Sequence, residues 1–404
     1  MRRSRTASSS SSSSSRSSDT ARTCSGPGSA EADRRDRGLS VLVTHADQPI
    51  GRCLVGRLYH DERIDSILAV GEGPPPRAFD RYLSDAGARL RYTRTTLTRQ
   101  RPAAELFRAS AQSDRPVEAV IYVPRHVEAT SRGASRPRHR SRTLSTLSPR
   151  TTEARIVLQR SLACSSIRQL VALGSAFVYR LDSGNSTRVT EESELDLAPD
   201  LPAEDRAWVD SDMLFHGELG GDQLTVALLR IPTVVGWDGA VHLNPALSMN
   251  SNSSRAGLSG HPPRIRPLGF DPMCALVAEE DVATAVQLAL HRRAKGIFNV
   301  AGRDTMPLSR LERCFAMRDR VEDGSPGLVG QLWWQAAEAV RLLGLPRRAG
   351  GGPDRSSGRG ASYLRYGFTL DTRRAEAVLG FRPAYRIGED RLPDGSRRLD
   401  ATLA

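Results

Sequence analysis

The chain runs to 404 residues, with 39% hydrophobic residues and a formal net charge of +12. That length allows one large domain or two smaller ones. The charge is localised: residues 1–38 hold eight Arg against four acids, and residues 125–160 hold nine Arg against Glu128 and Glu153, which leaves about +1 for everything else. A basic balance held in low-complexity segments argues against a nucleic-acid groove, which needs a structured basic face with stacking aromatics. Cys24, Cys53, Cys164, Cys274 and Cys314 form no C-x-x-C. Their scatter argues against a zinc site or disulfide framework and for a reducing, cytoplasmic setting. Serines, not an apolar core, follow the basic Met1–Arg5, so no secretory signal is expected. No run approaches the length of a membrane span.

Residues 1–38 read as a disordered Ser/Arg tail, with Ser8–Ser15 an unbroken serine run. Such a segment lacks the apolar surface to offset its ordering entropy. From Leu39 strand and helix patterns alternate. Ser40–Thr44 reads as a buried parallel strand. Pro49–Tyr59 follows as a helix, with proline at the first turn where its missing N–H is harmless. Ile64–Val70, Arg89–Tyr92, Val117–Val123, Gln169–Leu173 and Thr225–Arg230 are the next strands. His126–Arg150 interrupts them as a basic, exposed insertion. After Gly236 come a polar Asn/Ser stretch, a helix over Glu280–Leu290, a strand over Ile297–Val300 and an apolar helix over Leu328–Gly344. Strands separated by helical stretches imply right-handed crossovers. The expectation is an α/β, Rossmann-like doubly wound parallel sheet over 39–235, a smaller C-terminal substrate-type lobe over 236–390, and a tail over 391–404.

Several motifs, in order, resemble the extended short-chain dehydrogenase/reductases, the NAD-dependent epimerase/dehydratase family. Thr44-His45-Ala46-Asp47-Gln48-Pro49-Ile50-Gly51 stands where the family has T-G-A-x-G-x-x-G. His45 and Gln48 replace the first two glycines. Val171–Tyr179 is similar to the family's S-S-x-x-V-Y-G, with Ser175 at the serine that hydrogen-bonds the reacting oxygen. Thr190–Ser193, Leu228–Gly236, Leu276–Ala283, Gly296–Gly302 and Asp371–Pro383 resemble later family segments. The family's Y-x-x-x-K helix is the exception. Anchoring on Glu218 puts Asp210 and Leu214 at the Tyr and Lys positions, and shifting the register by two gives Trp208 and Asp212. Lys295 is the chain's only lysine, and His291 stands four before it.

The resemblance implies a nicotinamide dinucleotide, NAD or NADP, bound by Thr44, His45, Ala46, Gln48, Ile50, Gly51 and Glu72. Gln48 in place of the middle glycine would crowd the pyrophosphate. The family's ribose acid falls at Gly71, with Glu72 one step on. Glu72 is a ribose partner or a solvated turn acid, and Arg77 is an alternative contact for a 2′-phosphate. Thr95 and Thr96 replace the acid near adenine. In the family the Lys lowers the pKa of the Tyr that transfers the proton. Its loss implies a degenerate, atypical member that binds a small-molecule or nucleotide-like ligand in a sensor or partner role with little or no turnover. The alternative is an active epimerase, dehydratase or reductase using Ser175 and Asp210 as substitute catalytic groups. No metal site is expected, and a homodimer is the candidate assembly that the resemblance implies.

Overall fold

In the computed structural model the described residues are 38–85, 89–125, 148–181, 186, 188–199, 201, 203–236, 241–242, 271, 273–307, 310, 367–391 and 397–403. The chain divides at Gly38/Leu39 into two compact units, and the elements below all belong to the second. The serine run, most of the basic insertion and Leu328–Gly344 lie outside the described residues.

The main sheet is seven-stranded and parallel. Its strands are β1 (Leu39–Val43), β2 (Ile64–Gly71), β3 (Leu90–Arg94), β4 (Ala119–Tyr122), β5 (Gln169–Ser175), β7 (Thr225–Ile231) and β11 (Gly296–Asn299). Their order is β11-β7-β5-β4-β1-β2-β3. The chain order reverses between β1 and β4, so the C-terminal ends of those two strands mark the switch point where ligands bind in open α/β sheets.

Period-2 alternation packs both faces. Val41 and Val43 of β1, Ile67 and Ala69 of β2, and Val171 and Leu173 of β5 join one core with α1 (Pro49–Tyr59) and α6 (Glu279–His291). Leu42, Leu68, Val70, Leu170 and Ala172 point the other way, toward α3 (Gln100–Ala111), α4 (Pro149–Ala163) and α5 (Ala203–Gly217). A short α2 (Asp80–Leu83) precedes β3. On α1, Ile50, Leu54, Val55 and Leu58 make the apolar stripe that docks it.

The basic stretch expected to end at Arg150 gives way earlier to helix. Ser148 accepts a hydrogen bond from the Thr151 N–H at 3.2 Å, and Pro149 opens α4. Residues after Gly236 return to the main sheet through β11, which pairs with β7. They also supply β10 (Met273–Ala278), which joins β8 (Thr233–Val235), β9 (Val241–His242) and β12 (Thr305–Pro307) in a second, four-stranded sheet. β6 (Arg188–Val189) pairs with β13 (Thr369–Leu370), and β14 (Tyr385–Arg391) with β15 (Arg397–Leu403). Among the described residues no helix is long and apolar enough to cross a membrane.

Candidate functional site

The loop from β1 to α1 is held from several sides. Thr44 is fully buried; its Oγ1 donates to the Val123 carbonyl at 3.0 Å and accepts from the Val123 N–H at 2.8 Å, tying β1 to the segment after β4. His45 stands at the first-glycine position with φ +45°. That left-handed conformation is costly without glycine and persists only where surroundings enforce it. Here Nε2 of His45 lies 2.5 Å from Oε1 of Glu153 on α4, with both side chains buried. The Ala46 N–H donates to the Val70 carbonyl at 2.8 Å. Gln48 precedes α1 in extended conformation and does not cap it through its side chain. Gly51 is required by packing: a Cβ there would lie 2.2 Å from the His45 carbonyl oxygen. Ile50 belongs to the α1 core stripe.

The end of β2 is built differently from the expectation. A Cβ at Gly71 would lie 2.1 Å from the Tyr92 hydroxyl and 2.7 Å from Cγ of Asp47. A side chain at the position of the family's ribose acid would have to displace the Tyr92 hydroxyl and the Asp47 carboxylate. Asp47 Oδ2 accepts hydrogen bonds from the Glu72 N–H at 3.0 Å and the Gly73 N–H at 2.9 Å. Tyr92 donates to the Gly73 carbonyl at 2.8 Å. Burial, with the Asp47 charge beside it, pushes the Tyr92 phenol up to about 12. Glu72 is engaged as well: Oε2 lies 2.8 Å from Nη2 of Arg125, and Oε1 accepts from Thr96 at 3.0 Å. Arg125 follows β4, so this ion pair links the two strands that flank β1. Arg77 is exposed and opens a short 3-10 turn.

On the other side of the switch point, Ser175 ends β5 and is buried. Its Oγ accepts from the Phe177 N–H at 3.1 Å. Asp210 is half-buried on α5, and among the described residues no hydrogen bond joins it to Ser175. Leu214 packs against the core under α4 and α5. The acid that α5 turns into the sheet is Asp212, which holds Arg230 of β7 in a bidentate pair at 2.8 and 2.7 Å. Burial works against the Arg230 charge, but the Asp212 hydrogen bonds outweigh it and raise the guanidinium. Arg230 also lies 4.8 Å from the centre of the Tyr179 ring, and Tyr179 donates to Asn299 at 2.6 Å. Burial pushes the Tyr179 phenol up to about 12. Lys295 sits at the opposite edge of the sheet, before β11, donating to the Gly221 carbonyl at 3.0 Å.

Many solved structures match over most of their length, among them the following three. A dTDP-glucose 4,6-dehydratase from Bacillus anthracis in complex with NAD is 15% identical, with 86% of this chain and 92% of that chain covered and a TM-score of 0.52. A UDP-glucose 4-epimerase from Thermotoga maritima with UDP-glucose is 14% identical, with 86% and 94% covered and a TM-score of 0.54. A short-chain dehydrogenase/reductase superfamily protein from Agrobacterium tumefaciens with bound NAD is 15% identical, with 86% and 93% covered and a TM-score of 0.51. The chain shares the Rossmann-like α/β fold of these proteins. No protein-family model matches the sequence, and no curated protein matches it. At these identities the likeness is one of fold.

Within this fold, the structure brings Thr44–Gly51, Gly71, Glu72, Ser175 and α5 to the C-terminal edge of the sheet. Sequence reading missed Arg125, Asp47 and the buried charges of α4. Arg150, Glu153, Val157 and Ser161 fall on one buried face of that helix. Charged residues in phase with apolar ones were the available signal.

Proposed function

We propose that this protein uses the dehydrogenase fold to bind a nucleotide-like ligand in a sensor or partner role, with little or no oxidoreductase turnover. The observation that carries this reading is the Glu72–Arg125 ion pair, which joins the strands on either side of β1. A dinucleotide held in the family manner would run along that crease. The residues present do not fit it. Asp47 and Tyr92 fill the space beside Gly71 where an acid would meet the ribose. Glu72 is occupied by Arg125 and Thr96. Gln48 stands where backbone alone would let the pyrophosphate approach. Arg125 is the cation that a phosphate-bearing ligand smaller than a dinucleotide would meet.

Acid/base help is missing in the same way. Ser175 can orient an oxygen but does not transfer a proton at neutral pH unaided. The inward face of α5 carries Asp212, already committed to Arg230. General acid/base catalysis is typically worth about 10²–10⁴ in rate. The test is turnover of nucleotide sugars and simple ketones by full-length protein supplied with NAD(H) or NADP(H), followed at the nicotinamide absorbance. The reading expects rates near background. Turnover that disappears in Ser175→Ala or Asp210→Asn would instead establish an active enzyme with substitute acid/base groups.

A further inference from the structure

We propose that Cys53, Glu279 and Glu280 form a binding site for a single divalent transition-metal ion of the zinc class, which clamps α1 to α6. Cys53 lies on α1, and Glu279 and Glu280 open α6. Leu54 and Val55 of α1 share one core with Val282 and Val286 of α6. One ligand atom from each of the three residues, the thiol sulfur and one oxygen of each carboxyl, lies within 4.8 Å of the other two. Zinc bonds of about 2.0–2.3 Å place tetrahedral ligands roughly 3.3–3.8 Å apart, so a contraction of about 1 Å closes the set.

The state of Glu280 is the second observation. First-turn acids commonly complement a helix dipole, and that role needs only an exposed side chain. Glu280 is instead 8% exposed, and its Oε2 is buried and finds no hydrogen-bond partner among the described residues. Asp281, one residue on, shows the contrast: it accepts from the Ala384 and Tyr385 N–H groups at 2.8 and 3.3 Å. Arg57, one turn along α1 from Cys53, is turned to Gln287, whose Oε1 accepts from its Nε at 2.7 Å. An unpaired buried carboxylate beside a second carboxylate and a thiol is costly, and a bound cation removes that cost. Without the ion, burial and the two glutamates push the Cys53 thiol up. Binding therefore displaces the thiol proton to solvent and forms a metal–thiolate bond.

The donor set fixes the class of ion. A thiolate selects zinc-like ions over magnesium and calcium, which take oxygen ligands. Three protein ligands leave a fourth position for water. Cys53 and Glu280 also line a cleft of about 580 Å³ with Arg52, Arg57 and Gln287, which gives the ion a way in. The cysteine and the glutamates lie far apart in the sequence, so no ligand spacing announces the set. The site does not depend on whether the β1 crease takes a nucleotide.

Full-length protein stripped with a chelator and titrated with zinc chloride by calorimetry tests the assignment, with cobalt chloride as the optical probe. One equivalent of zinc should bind, magnesium chloride should not compete, and cobalt should give a thiolate-to-metal charge-transfer band. Cys53→Ser should abolish that band and weaken zinc binding by roughly a hundredfold, and Glu280→Gln should weaken it by roughly tenfold or more. The Glu280 variant keeps the test decisive if the Cys53 variant does not fold. No zinc binding at about 0.1 mM, no thiolate band with cobalt, or zinc binding unchanged in Glu280→Gln or in folded Cys53→Ser would overturn the proposal.

Discussion

Glu72, just past β2, and Arg125, just past β4, meet at 2.8 Å across the strand that lies between theirs. The pair is about one-third exposed on each side. Its Coulomb energy is therefore modest, and an exposed pair of this kind is worth about 0–1 kcal/mol. Its importance is its position. It bridges the switch point of the sheet, where this fold has its ligand crease.

His45 and Glu153 make a second cross-link, between the β1–α1 loop and α4, and this one is buried. Truncating either partner leaves the other in the interior without its mate. His45→Ala should lower unfolding free energy by about 3 kcal/mol or more, and adding Glu153→Gln should recover part of the loss. Chemical denaturation measures both. A His45→Ala loss under about 1 kcal/mol would show that the pair does not hold the loop.

Asp212 and Asp210 stand two apart on α5, and their substitutions should separate sharply. Asp212→Ala strands a buried Arg230 and should cost about 3–5 kcal/mol. Asp210→Ala, at a half-buried position, should cost under about 1 kcal/mol. Similar losses at the two sites would mean that α5 turns a different face to the sheet.

Glu280 opens a pH-dependent contribution. Burial, with the charges of Glu279 and Asp281 nearby, pushes its carboxyl up to about 7 from an ordinary value of 4.5. The folded state then binds a proton more tightly than the unfolded chain. Glu280 therefore favours folding fully below about pH 4.5 and loses that contribution as pH rises to about 7. Glu280→Gln should stabilise the protein by roughly 1–3 kcal/mol at pH 8 relative to wild type, and by much less near pH 5. Denaturation at the two pH values checks the sign; an equal effect at both would contradict it.

Much of the fold was legible in the sequence because its strands are short apolar runs bounded by turn residues. The expected helix over Pro49–Tyr59 coincides with α1, and the strand expected over Ile64–Val70 extends one residue further, to Gly71. Gly51 was legible as well, since its role is backbone packing within one local motif. The filled crease was not. Asp47 reaches Glu72 and Gly73, and Glu72 reaches Arg125, across sequence gaps that no local pattern encodes. On α5 the sequence left two registers open. Only packing against Arg230 decides that Asp212, not Asp210, faces inward.

The central claim is that the crease does not hold a nicotinamide dinucleotide in the family manner. Calorimetry of full-length protein with NADH and NADPH tests it most directly, alongside the triple variant Gln48→Gly, Glu72→Ala, Arg125→Ala. The account predicts no measurable wild-type binding up to about 1 mM, a limit of roughly 4 kcal/mol, and tighter binding in the triple variant. Wild-type binding at low micromolar dissociation constants, unchanged or weakened in the variant, would contradict it.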